Sequence, residues 1–476
     1  MTTNNNEERR VRTRLLAASA AMALALALVA CGDDDDDGAG TATTSGGAAT
    51  TAGPATTAGG AETTAAAPTT AGGADTTAGA PTTEGSAPAP SGDPIVVGST
   101  LSLTGVFGAT GVIHQIAGEL FVDRLNASGG LLGRPVEWTV LDDESDQAQV
   151  SNLYERLISQ DQVDLIIGPY ATPNILSAVA VAERHGYTMP QHTAVLAPLL
   201  SYECQFPGWS IGPTPNEYVP NQLLDLVETL PEPPQKIVVA TNQNGSTDFI
   251  TRGLPDDDAD PGMLSIAEER GYEVVDIAYP PGTTDWAPIA TQIRDEAPDL
   301  LVNNGLGVDP VGLIEAMEQL GYQPPMMFSL FPAPGPPLGL GDLSDGLLSV
   351  SIFEPNEATM DQYPPEAAEI VAEFSERAAA ADIPYTVFET QAAASWNAWE
   401  ILTQGVEAAG DLDQQAICDA LHENGAETTF SGPLEFDPEV NNFWPSNQGI
   451  KQIQGGDWLM VWPEDRAAAA VQPPAG

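Results

Sequence analysis

The stretch DPIVVGSTLSLTGVFGATG, residues 93–111, decides the fold. Its apolar run Ile95-Val96-Val97, bounded by proline and glycine, predicts a buried strand. A loop with Gly105, Gly108 and Gly111 follows, and then Ile113, Ile116, Ala117, Leu120, Phe121 and Leu125 fall on one helical face. Strand, glycine loop and helix in that order make the first unit of an α/β sheet, and such sheets place ligands beyond the carboxyl ends of their strands. The loop is therefore expected to form one wall of a small-molecule cleft. It lacks the G-x-G-x-x-G spacing of a dinucleotide site and the lysine of a P-loop. Its glycines suggest instead a backbone that comes close to a ligand carboxylate at a helix N-terminus.

Downstream the alternation repeats. The helix ends at Asn126-Ala127-Ser128-Gly129-Gly130, where glycine takes the left-handed cap conformation. Val136 to Leu141 is a second strand ending in Asp142-Asp143, a helix spans about 147–159, and Val163 to Ile167 is a third strand. A strand–turn–helix at 168–184 and a short strand leading to His192 complete this set. After the proline-rich connector 231–234, strands are expected at 236–240, 274–279, 300–303 and 347–353, with helices near 288–296, 311–320, 366–381 and 390–409. Two such sets predict two α/β lobes facing each other across a cleft.

Upstream lies a targeting segment rather than structure. Arg9, Arg10, Arg12 and Arg14 precede an apolar, uncharged run from Leu15 to Ala30, too short for a comfortable bilayer span. It ends in Leu28-Val29-Ala30-Cys31, which resembles the lipobox of bacterial lipoproteins and predicts lipidation at Cys31. Residues 32–92 repeat Thr-Thr-Ala-Gly with scattered proline and no aromatic residue, too little apolar surface to offset chain entropy. They are expected to form a disordered tether across the cell envelope, and residues 467–476 a disordered tail.

Composition excludes several functions. With 15 Lys and Arg against 67 Asp and Glu, the formal charge is −52, so a basic nucleic-acid-binding face is ruled out. The cysteines Cys31, Cys204 and Cys418 form no C-x-x-C pair and the four histidines no ligand pair at helical spacing, so no metal site and no cofactor is expected. The acidic loop Asp256 to Asp260 lacks EF-hand spacing and is read as a solvated loop. There is no H-E-x-x-H and no placed Cys–His pair, so an enzyme is not expected. A lone His192 is taken as a structural hydrogen-bonding residue.

The ordered series Leu103-Thr104-Gly105, 125–135 (LNASGGLLGRP), Asp142-Asp143, Ile166-Ile167-Gly168-Pro169, Asp285-Trp286, Asp299-Leu300-Leu301, 430–437 (FSGPLEFD) and Ile450 to Ile453 resembles the solute-binding proteins of branched-chain amino-acid ABC transporters. The resemblance covers 94–466. It implies the type I periplasmic-binding fold, an α/β fold of two lobes joined by three crossovers, preceded here by a signal peptide (1–31) and linker. Lobe 1 would hold about 94–212 and 337–436, and lobe 2 about 213–336 and 437–466. The implied function is an exported, lipid-anchored, monomeric solute-binding protein that delivers a small polar ligand, an amino acid or related amide or carboxylate, to an ABC permease and its ATPase. The alternative is a ligand-sensing receptor subunit of the same fold, acting through a membrane partner.

The cleft residues implied are Phe107, Thr110, Tyr170, Ala171, Thr172 and Thr193 from lobe 1, and Ser246, Phe249, Leu306 and Phe331 from lobe 2. Thr172 matches the family's carboxylate-gripping hydroxyl, and it also suits the N-cap of the helix that follows, with Pro173 at the first position. Thr110 lies where the family often has an aromatic residue over the ligand. Cys204 and Cys418 both fall in lobe 1, which in an oxidising compartment predicts a disulfide. One departure bears on the cargo. Members that bind α-amino acids place a carboxylate after the strand equivalent to Met326 to Ser329, but here the chain reads Leu330-Phe331-Pro332-Ala333-Pro334. Either another acid such as Asp248 or Asp309 pairs the ammonium, or the ligand is not an α-amino acid, because an unpaired buried ammonium is costly.

Overall fold

The computed structural model describes residues 89–472, apart from 193, 255–260, 382 and 384. The signal segment with Cys31, the tether up to residue 88, Thr193, and the acidic loop from Asp256 lie outside the described residues.

Strand β1 (Ile95–Leu101) pairs in parallel with β2 (Val136–Asp142) on one side and β3 (Leu165–Ile166) on the other. Helix α1 (Gly108–Ala127) covers one face of this sheet. Helices α2 (Gln147–Ser159) and α3 (Thr172–His185) cover the other. The strand interior is apolar on both faces because both are covered, which is why Ile95-Val96-Val97 shows no polar alternation. Two short parallel strands, β4 (Met189–Gln191) and β5 (Gln205–Pro207), follow, joined to the end of β3 by a 2.7 Å bond from the Gly168 amide to the Pro190 carbonyl.

The chain then crosses to the second lobe through 208–214 and helix α4 (Pro215–Glu228). Strands β6 (Lys236–Asn242), β7 (Glu273–Tyr279), β8 (Leu300–Gly307), β9 (Met326–Pro332) and β10 (Leu348–Ser351) are parallel. Between them lie α5 (Gly245–Arg252), α6 (Met263–Glu269), α7 (Ala287–Glu296), α8 (Asp309–Gln319) and the single turn α9 (Gly335–Leu338). Side chains alternate along β6: Ile237 and Val239 enter one layer of core, Val238 and Ala240 the other.

The return to the first lobe comes after β10, not at 337 as the sequence suggested. Leu348 pairs with Phe328 of β9, so β10 joins the second sheet before the chain leaves it. Back in the first lobe, α10 (Pro365–Ala380) and α11 (Thr390–Ala409) pack against α1 and α12 (Gln414–Asn424) against α11, followed by the ribbon β11 (Ala426–Thr428) and β12 (Gly432–Leu434). A third crossover leads to β13 (Gly449–Gln454) and β14 (Asp457–Trp462), which add antiparallel to β10. The second sheet therefore runs β14-β13-β10-β9-β8-β6-β7. Beyond it the expected disordered tail is held as far as residue 472. The Ala468 amide donates to the Met460 carbonyl at 2.8 Å, and the Gln472 amide to Gln452 Oε1 at 2.8 Å.

Cys204, just before β5, is bonded to Cys418 on α12, with Cα atoms 5.3 Å apart. The 214-residue separation between them contains the whole β6–β10 excursion, so the bond ties the segments before and after it together within the first lobe.

Candidate functional site

Where the carboxyl ends of β3, β8 and β9 converge, a narrow cleft with about 40 Å³ of free space lies between the lobes. It is lined by Phe107, Tyr170, Ala171, Thr172, Pro173, Val195, Trp209, Ser246, Leu306, Phe331 and Gln391. The lobes come close at its lips: a Cβ on Gly307 would sit 3.5 Å from the Val106 carbonyl, and one on Gly245 would sit 3.7 Å from Leu196.

The opening loop reaches the cleft through the Phe107 side chain rather than through bare backbone. Its glycines serve the loop itself. At Gly105, φ is +80° and a Cβ would lie 2.5 Å from the Glu144 carbonyl, while at Gly111 a Cβ would collide with the Ser102 carbonyl. The Gly108, Thr110 and Gly111 amides donate to Gly105 and Phe107 carbonyls, so they are not available to hold a carboxylate. This corrects the expectation of a glycine clamp.

The acids after β2 fix the loop's shape. Asp142 Oδ1 accepts from the Leu103, Thr104 and Glu144 amides, and its Oδ2 from the Thr104 hydroxyl. Buried Asp143 accepts from Ser102 Oγ at 2.6 Å and Thr100 Oγ1 at 2.9 Å. Burial opposes the Asp142 charge, but these hydrogen bonds outweigh it and hold the carboxyl below its ordinary range. At Asp143 burial dominates and raises it.

The turn between β3 and α3 forms the second wall. Helix α3 starts at Thr172, so the N-cap is Ala171 and Pro173 takes the second position. Thr172 therefore does not cap the helix. Its Oγ1 instead accepts from the Val195 amide at 2.9 Å, which leaves the hydroxyl proton to give away. Ala171 has φ +73° and ψ 136°, a conformation that costs a non-glycine residue on the order of 1–3 kcal/mol. Such strain held beside a cleft marks a turn fixed by its surroundings.

Tyr170 is fixed from behind. Its ring lies 4.8 Å from His114, which stacks on His192 at 4.3 Å, and Phe107 meets it edge-on at 5.8 Å. Both imidazoles are fully buried. Burial lowers His192 to about 3, and burial together with the neighbouring His192 pushes His114 well below its ordinary value, so the pair stays neutral near pH 7. Burial lifts Tyr170 to about 12.

Of the residues expected at the site, Phe107, Tyr170, Ala171, Thr172, Ser246, Leu306 and Phe331 line the cleft. Thr110 does not. It is buried behind Tyr170 and hydrogen-bonds its hydroxyl, a supporting role in place of the ligand contact expected. Phe249 also misses the cleft, because it sits one helical turn below Ser246 on α5 and packs into the core. Thr193 lies outside the described residues.

Sequence reasoning missed Val195, Trp209 and Gln391. Trp209 comes from the first crossover and Gln391 from the first turn of α11, 182 positions later, and no local pattern joins them. Both are buried and both carry a polar atom without a protein partner, Trp209 Nε1 and Gln391 Oε1.

Neither acid considered for a ligand ammonium reaches the cleft. Asp248 pairs with Arg252 on the surface. Asp309 is turned inward and accepts from Asn242 Nδ2 at 2.7 Å, the Tyr279 hydroxyl at 3.0 Å and the Leu306 amide at 3.2 Å, so it positions Leu306. Among the described residues no carboxylate, lysine or arginine lines the cleft. Among the described residues no group of His, Cys, Asp and Glu is placed to hold a metal ion.

Comparisons with known proteins fit this architecture. A family model described as "Periplasmic binding protein" matches residues 94–448. The "Leu/Ile/Val-binding protein homolog 8" of Brucella abortus (strain 2308) is 24% identical over 232 residues, 47% of this chain and 53% of that protein. The match thus spans about half the length of the curated relatives. A leucine binding protein LivK from Thermotoga maritima superposes with TM-score 0.62 at 20% identity, covering 78% of this chain and 99% of that one. A solute binding protein from R. palustris, solved in complex with benzoate, gives 0.61 at 20% identity, covering 81% and 99%. LivJ from Streptococcus pneumoniae, solved in complex with isoleucine, gives 0.61 at 19% identity, covering 80% and 100%. At these identities the solved structures show the fold.

Proposed function

The chain belongs to the periplasmic binding protein family, and we propose that it is the solute-binding component of an ABC importer, exported, anchored through a lipid on Cys31, and specific for a small apolar carboxylate. It captures the ligand on the first lobe, closes by hinge motion and passes its cargo to a membrane permease without chemistry of its own. The protein acts as a monomer, held near the membrane by its tether.

The observation that carries the ligand class is the lining. Four rings, Phe107, Tyr170, Trp209 and Phe331, line the cleft, and among the described residues no carboxylate does. An α-amino acid would bury its ammonium there without a counter-charge, at a cost of several kcal/mol. A carboxylate finds partners: the Thr172 hydroxyl, whose own acceptor site is already used by Val195, the Ser246 hydroxyl and the unpartnered Trp209 N–H. An apolar body then fills the aromatic space. The fold accommodates both cargo classes, since relatives have been solved with isoleucine and with benzoate.

Calorimetry of the full chain against leucine, isoleucine, valine, benzoate and branched-chain monocarboxylates tests the reading. Binding of one of the carboxylates, with the amino acids silent, is the expected outcome. Micromolar or tighter binding of leucine or valine overturns the ligand class while leaving the transport role intact.

A further inference from the structure

Beside the cleft lies a second, tight chamber with about 10 Å³ of free space, sharing Trp209, Phe331 and Gln391 with it and lined also by Lys451 and Glu389. Lys451 and Glu389 line it, and Glu354 meets Lys451 beside it. Lys451 on β13 places Nζ 2.6 Å from Glu354 Oε1 and 3.6 Å from Glu389 Oε2, and 4.6 Å above the Trp458 ring. The lysine side chain is 4% exposed and each glutamate 1%.

The three residues come from different parts of the molecule. Lys451 belongs to the second-lobe sheet, Glu354 to the crossover just after β10, and Glu389 is the N-cap of α11 in the first lobe, accepting from the Gln391 amide at 2.9 Å. The cluster therefore spans the junction on which the lobes turn. It is also unbalanced, with two buried carboxylates facing one ammonium, and Glu354 Oε2 has no partner at all. An excess buried charge of this kind is costly unless one carboxyl is neutral or water is admitted.

We propose that Lys451, Glu354 and Glu389 form a proton-operated lock at the hinge: closing the cleft dries this chamber and places a proton on Glu389, and opening admits water and releases it. Trp209, Phe331 and Gln391, which separate the chamber from the cleft, are the wall through which water enters. Burial, partly countered by Lys451, raises Glu389 to about 7, and burial raises Glu354 as well. The surrounding groups do not supply the missing positive charge. Ser351 and Thr390 are neutral, and buried Tyr385 faces both glutamates and Asp457 and is pushed well above its ordinary value by burial. Tyr363 faces Glu354 and Arg466, and Tyr170 faces Glu389. Arg466 donates to the Ile352 and Asn447 carbonyls and forms no ion pair with Glu354 or Glu389, whose cationic neighbour is Lys451.

The sign follows from linkage. A carboxyl raised in the closed state binds more protons there, so closure is favoured below the ordinary glutamate range and the advantage is lost as pH rises through about 7. With an ordinary carboxyl in the open state, the closed-to-open ratio falls by at most about 30-fold between pH 5.5 and 8.5.

The test needs no ligand. Energy transfer between dyes carried by noncanonical residues at exposed Leu132 in the first lobe and Val308 in the second reads the lobe separation in the full chain. The wild type is expected to open several-fold over this range. Glu389→Gln is expected to stay closed throughout. Glu400→Gln controls for another buried carboxyl raised to about 7, within the first lobe, and should keep the wild-type response. A wild-type separation independent of pH overturns the proposal, as does a response that survives in Glu389→Gln or disappears in Glu400→Gln. Should Glu389→Gln not fold, Glu354→Gln leaves one carboxylate per ammonium, and the midpoint should drop toward the ordinary carboxylate range; a midpoint still near 7 overturns the lock.

Discussion

The first lobe brings Phe107, Tyr170, Ala171, Thr172, Pro173 and Val195 to the cleft, whereas the second brings Ser246, Leu306 and Phe331. The two walls differ in how they are held as well as in extent. Behind the first stand the Asp142–Asp143 hydrogen bonds, the His114–His192 stack and the Thr172–Val195 bond. Behind the second, Leu306 rests on Asp309, and Ser246 sits in the first turn of α5, its amide taken by the Asn244 cap. A surface fixed in advance loses little freedom on binding, so the first wall is suited to select the ligand and the second to cover it. Trp209 belongs to neither wall alone. It lies in the crossover, touches both chambers and meets Phe331 edge-on at 6.0 Å.

The largest effect should come from breaking that shared element. Trp209→Ala removes a side chain that is 1% exposed, and large-to-small core changes of this type cost about 3–5 kcal/mol of stability. Calorimetry with benzoate should show binding lost by more than about 30-fold, the scale of a buried aromatic anchor, together with a lower melting temperature. Trp209→Phe separates the two losses, because it keeps the ring contact with Phe331 while deleting the N–H offered to the ligand. Unchanged binding in both variants would remove Trp209 from the site.

Within the first wall, Thr172→Val keeps the side-chain shape and deletes the hydroxyl. A hydrogen bond to a charged group contributes about 1.5–3 kcal/mol, so the dissociation constant for benzoate should rise roughly 10- to 100-fold. Some stability is lost too, since the Val195 amide loses its acceptor. If binding were unaffected, the carboxylate would not sit at the α3 turn.

The difference between the walls also sets what could be foreseen from sequence. The α/β alternation was legible because buried strands and amphipathic helices carry local patterns, and helices 147–159 and 390–409 fall where periodicity places them. Wall residues adjacent to a strand end, such as Tyr170, Thr172 and Leu306, came from the resemblance to the solute-binding proteins, and the rule that strand ends face the ligand gives their placement a physical reason. Trp209 and Gln391 did not, because their meeting depends on how the crossover and the start of α11 fold back together. The glycine loop misled for a related reason. Gly105 and Gly111 serve close packing against Glu144 and Ser102, and sequence cannot tell a glycine needed by the fold from one that makes room for a ligand. The lobe boundary was misplaced because β10 resembles a strand of either sheet until its pairing with β9 and β13 is seen.

The smallest effect should come from the covering wall. Ser246→Ala deletes one hydroxyl from a residue whose backbone is independently fixed by the Asn244 cap, so the helix and its placement survive. If the second lobe arrives after the ligand is seated, this hydroxyl contributes to residence rather than to capture. The expected loss is about 0.5–1 kcal/mol, roughly two- to five-fold in affinity. Stopped-flow measurement with benzoate should place it almost entirely in the dissociation rate, as for most interface changes. A Ser246→Ala variant that slows association as strongly as Thr172→Val weakens affinity would mean that both walls engage together, and the division between a selecting lobe and a covering lobe would fail.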